Sequence, residues 1–107
     1  MPDLIKELRG RWKVTTYGVA MPMNAVGDEK IISDSAGYNV MRGKEWGWFT
    51  IEQIDLETLK LNYDDERNHP TLRRVRDFIT QIKPNEWLGT FYLGDCAVFD
   101  FSLNRVQ

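Results

Sequence analysis

Hydrophobic positions along the chain change period once, near the start. Over residues 3–10, Leu4, Ile5 and Leu8 share one helical face. Asp3 stands where an N-cap belongs, and Gly10 suits the left-handed position that stops a helix, so one or two helical turns are predicted. From Trp12 the period drops to two: Trp12, Val14 and Thr16 fall on one face, and Lys13, Thr15 and Tyr17 on the other. Met21-Pro22-Met23-Asn24 breaks that strand, because proline has no N–H to give a ladder. Short strands follow around Ile31 and Ile32 and over residues 38–41, with the turn cluster Ser33-Asp34-Ser35-Ala36-Gly37 between them. Residues 46–53 are β-rich and apolar on both faces. Residues 56–63 set Leu59, Leu61 and Tyr63 against Thr58, Lys60 and Asn62, and residues 64–70 form a polar loop.

Residues 71–83 read two ways. Leu72, Val75, Ile79 and Ile82 have helical spacing, with Pro70 before them and Pro84 after. The same stretch is rich in Thr, Val, Ile and Phe, which suit a strand. The strand is preferred because the turn Lys83-Pro84-Asn85-Glu86 and a strand over 87–93 supply a partner, and Gly94-Asp95 then turns into a last strand over 97–106. The expected fold is therefore mainly β. A short N-terminal helix precedes a roughly eight-stranded antiparallel up-and-down barrel, formed by residues 1–107 as a single domain. The alternative is an α+β curled sheet with a helix at 71–83.

Size and charge narrow the function classes. A 107-residue chain buries about two thirds of its surface on folding, enough for one modest core. Fourteen basic against 16 acidic residues give a net charge of −2, which argues against a polyanion-binding surface and so against nucleic acid. No run of apolar residues is long enough for a membrane helix. The start Met1-Pro2-Asp3 lacks the basic and apolar regions of a secretion signal. Together with the lone Cys96, this makes a reducing, cytoplasmic location the expectation. Cys96 is expected to be a buried or half-buried structural thiol, and His69, in the polar loop, to be exposed. One histidine and one cysteine make no zinc site of the usual kind, and no phosphate-binding loop, zinc-protease motif or nucleophile elbow is present, so neither metal nor cofactor is expected.

Gly10-Arg11-Trp12, within Leu8-Arg9-Gly10-Arg11-Trp12-Lys13-Val14, opens the first strand directly after the short helix. Alternation puts Phe99, Phe101, Leu103 and Arg105 on one face of the last strand. Helix, Gly-x-Trp and β-meander together resemble the calycin superfamily, which includes lipocalins, fatty-acid-binding proteins and avidins. The resemblance implies that Trp12 closes the barrel floor and that Arg105 packs over it as a guanidinium on an indole. The chain departs from typical lipocalins in being much shorter and in lacking an evident middle-strand motif.

The aromatic residues carry the remaining hint. They fill the core, or some of them line a cavity with polar tips. In the second case Trp48, Tyr63 and Tyr92 are candidate ligand-binding residues. Arg74 and Arg76 join them if their parity is inward, where they would hold the carboxylate or phosphate of a partly apolar ligand. The opposite parity turns Asp77 inward as a carboxyl with a raised pKa, and with Glu52 it is then the candidate acid or base of a small isomerase or decarboxylase. One bulge reverses either choice. The expectation is binding of a small, partly apolar ligand, anionic where an arginine faces inward. The alternatives are a protein-interaction or inhibitor module with a filled core, acting through the apolar strand bearing Phe49, Ile51 and Ile54, and the acid/base enzyme.

Overall fold

The structure, a computed structural model, describes residues 3–17 and 29–106. The Met21-Pro22-Met23-Asn24 strand break lies outside the described residues. The chain begins with a single turn of helix, α1 (Leu4–Glu7), and continues through β1 (Gly10–Tyr17), β2 (Glu29–Ser33), β3 (Ala36–Met41), β4 (Lys44–Gln53) and β5 (Thr58–Asn62). A 3-10 turn, Leu72–Arg74, leads into β6 (Val75–Lys83), followed by β7 (Glu86–Leu93) and β8 (Cys96–Arg105). Each strand pairs antiparallel with the next, and β8 pairs back with β1, so the eight strands close a barrel in simple chain order. Closure removes both sheet edges and gives every strand two partners.

The helix predicted over residues 3–10 is shorter than its longest reading. Asp3 does cap it, its Oδ1 accepting from the Ile5 amide at 3.2 Å. Gly10, with φ of 123°, already belongs to β1. The helical spacing at 71–83 survives only as the 3-10 turn. Residues 75–83 are held as a strand by β5 on one side and β7 on the other, which excludes the α+β alternative.

Alternation along β1 and β8 sets the core. Trp12, Val14, Thr16, Phe101 and Leu103 are buried, and Leu59, Leu61 and Tyr63 join them from the other side of the barrel. At the helix end, Trp12 and Arg105 stand opposite each other in the β1–β8 register. The guanidinium lies 4.3 Å from the indole ring and donates to the carbonyls of Arg9 and Glu7 and to Asn85. The Trp12 indole donates to Leu8 O at 2.8 Å. One aromatic plate, one cation and the helix thus plug this end of the barrel.

Two expectations about surface residues are corrected. Phe49 and Ile51 are core residues, so the strand that looked apolar on both faces offers no Phe49–Ile51–Ile54 patch. Cys96 is exposed, not half-buried, because it stands where the Gly94-Asp95 turn enters β8.

Candidate functional site

At the end of the barrel opposite the helix plug, four polar side chains meet inside. Lys30 reaches in from β2, Asn39 from β3, Tyr63 from just past β5 and Asp77 from β6. All four are buried, with Lys30 5% and Asp77 1% exposed. Lys30 Nζ donates to Asn39 Oδ1 at 2.7 Å and to Tyr63 Oη at 2.6 Å. Tyr63 Oη donates onward to Asp77 Oδ2 at 2.9 Å, and Lys30 Nζ lies 3.8 Å from that same oxygen. The ammonium also sits 5.3 to 5.8 Å from the ring centres of Phe49, Tyr63 and Phe101. A cation among ring faces and hydrogen-bond acceptors is partly compensated for the water it has lost.

Local backbone chemistry builds this arrangement. Gly47 has φ of 61°, and the β3–β4 register slips between Gly37 and Asn39. This is a bulge with glycine in the left-handed position, and it changes the parity of β4. Below it Phe49 and Ile51 face inward; above it Trp46 also faces the interior. A Cβ at Gly47 would come within 2.7 Å of Asn39 Nδ2, which donates to the Gly47 carbonyl at 2.9 Å. The bulge therefore orients Asn39, and Asn39 orients Lys30. A second anchor, Asn68, ties the 64–70 loop to β4: its amide accepts from Trp48 N and donates to the carbonyls of Trp48 and Tyr63, fixing the backbone from which the Tyr63 side chain projects.

Beside the four polar groups lies a cavity of about 30 Å³. Its other walls are Val14, Thr16, Leu72, Trp46, Phe101 and the stacked pair Phe91 and Phe99, whose rings are 4.6 Å apart. That volume exceeds the roughly 10–15 Å³ needed for one water. Two of the residues lining it carry a buried polar atom with no hydrogen-bond partner among the described residues, Asp77 Oδ1 and the Trp46 indole Nε1. Burial raises the Asp77 carboxyl from 3.8 to about 6, against the opposing pull of Lys30 and of the Tyr63 hydroxyl. Asp77 therefore titrates close to neutral pH, and the cluster can gain or lose a proton there. Among the described residues no group of His, Cys, Asp and Glu is arranged to hold a metal ion.

The candidates named from sequence separate into two groups. Tyr63 and Asp77 meet in the cluster. Arg74 and Arg76 do not: Val75 and Asp77 take the inward parity, so both arginines lie outside the barrel interior. Arg76 donates to the carbonyls of Arg73 and Val75, and the neighbouring Arg73 pairs with Asp64 at 2.9 Å, so the arginine cluster does not form the imagined anion site in the barrel. Trp48 faces out from β4 under the Arg67 guanidinium, 4.9 Å from its ring. Tyr92 packs edge-on to Phe78, and Glu52 is exposed beside Lys60 and Asn62. Lys30 and Asn39 were not among the candidates. The signal for Lys30 was its parity with Ile32, hidden because Ile31 beside it is also apolar. Asn39 carried no signal before the bulge was known. No protein-family model matches the chain, and no curated protein matches it in sequence.

Proposed function

We propose that this barrel binds a small, partly apolar ligand at the end opposite the helix plug. One observation carries the reading: Lys30, Asn39, Tyr63 and Asp77 are gathered on one side of a cavity whose other walls, apart from Thr16, are aromatic and aliphatic. Burying an ammonium and a carboxylate costs several kcal/mol per ion, and well-packed apolar residues at the same positions would give an equal or more stable core. Polar groups converging on an apolar recess are the usual construction of a small-molecule site. The cavity is small, so the part of the ligand that enters is small too, and Phe91 and Phe99 form the wall along which any remainder extends. The plug of α1, Gly10, Trp12 and Arg105 supports placing the barrel among calycin-like folds, where binding inside the barrel is the common activity.

The test is a panel of small metabolites followed by tryptophan emission and thermal melting. A ligand quenches Trp46 emission and raises Tm, and Lys30→Met abolishes both responses. A panel without a single response refutes the reading. A second reading, a protein-interaction module, is favoured by the exposure of Ile82, Leu88 and Val98 on the outer face of β6 to β8 (52%, 45% and 46%). It predicts that Leu88→Lys abolishes association with a partner, while a chain that stays strictly monomeric and captures nothing argues against it.

A further inference from the structure

The two unpartnered atoms of the cavity specify more than its size, provided the cavity is the ligand site. Asp77 Oδ1 and Trp46 Nε1 are both buried, and both residues line the same 30 Å³ space. The indole N–H only donates, and the carboxylate oxygen only accepts. Leaving either unmet in a buried site costs free energy that a suitable ligand group recovers. We propose that the ligand's head group is uncharged and carries both a donor and an acceptor, as a carboxamide does, its N–H meeting Asp77 Oδ1 and its carbonyl meeting Trp46 Nε1.

Charge balance argues for neutrality. Lys30 and Asp77 lie 3.8 Å apart and offset one another. An anionic head would stand against the Asp77 carboxylate in a medium of low dielectric. A cationic head would answer Asp77 but leave two positive groups beside one negative one. The arginines that would have justified an anion lie outside the barrel. Volume agrees as well: the space holds a group of two or three heavy atoms, a head group and little more.

Formamide, formate and formamidinium test this directly, being planar and equal in heavy-atom count while differing in charge. The full chain, labelled with ¹⁵N, is titrated with each above the pH at which Asp77 ionises, and the Trp46 indole N–H resonance is followed. Formamide is expected to shift that resonance saturably, with both ions at least about tenfold weaker. Trp46→Phe, which keeps an aromatic ring at this half-buried position and removes the indole N–H, is expected to weaken formamide about tenfold, the worth of one hydrogen bond, as followed on the neighbouring backbone amides. Either ion binding as well as formamide overturns the assignment. So does a panel metabolite that binds while formamide does not, and in that case the binding reading stands. No response to any probe or metabolite removes both.

Discussion

Asp77→Asn separates the cost of burying a charge from everything else the cluster does. The carboxyl moves from 3.8 in the unfolded chain to about 6 in the barrel. At 1.36 kcal/mol for each pH unit, the difference is about 3 kcal/mol. The sign follows from the direction. A raised folded-state value means that the folded protein holds its proton more tightly, so the contribution is fully present below pH 3.8 and is lost as pH climbs through about 6. Asparagine has the shape of the protonated acid and does not titrate. Urea unfolding of both proteins at intervals from about pH 4 to pH 7.5 gives the difference in stability at each pH, and the surface carboxylates, common to both, cancel. The variant should gain about 2.5 kcal/mol on the wild type across that range, the rest of the difference falling below pH 4. Its absolute offset also contains the loss of Lys30's counter-charge, which is why the slope is read and not the value at one pH. A difference that stays flat would mean that Asp77 is not a desolvated carboxyl and would refute the reasoning.

Three further outcomes are expected. Trp12→Ala should cost about 3–5 kcal/mol in chemical unfolding, because the ring is fully buried, its N–H is bonded to Leu8 O and Arg105 rests on it; a cost near zero would mean that Trp12 does not plug the barrel. Gly47→Ala should destabilise by about 1–2 kcal/mol, since the bulge needs φ of 61° and a Cβ there meets Asn39; equal melting of variant and wild type would contradict it. Cys96, exposed at the start of β8, should react completely with a thiol reagent in the folded protein, and protection until unfolding would be the contrary result.

Much of this architecture is written in periodicity. Trp12, Val14 and Thr16, Leu59, Leu61 and Tyr63, and Phe101 and Leu103 alternate with polar neighbours, and alternation over short runs separated by turn residues admits few folds other than a closed meander. Alternation puts Arg105 on the face of Phe101 and Leu103, but its stacking on Trp12 is implied by the likeness to calycins and not by periodicity. What the alternation could not specify is the polar interior. Lys30 sits among isoleucines in a strand whose facing is ambiguous, and Arg76 and Asp77 differ by one position, so a single register choice exchanges a guanidinium for a carboxyl inside the barrel. That choice rests on how β6 pairs with β5 and β7, while the left-handed Gly47 sets which residues of upper β4 face inward. Side-chain direction along a strand is a local property, but the identity of the inward face is decided only when the neighbouring strands have paired. Lys30 and Asn39 face each other across the β2–β3 hairpin, and Tyr63 and Asp77 come from just past β5 and from the neighbouring β6, so strand pairing builds each half of the cluster and barrel closure brings Lys30 to Tyr63 and Asp77.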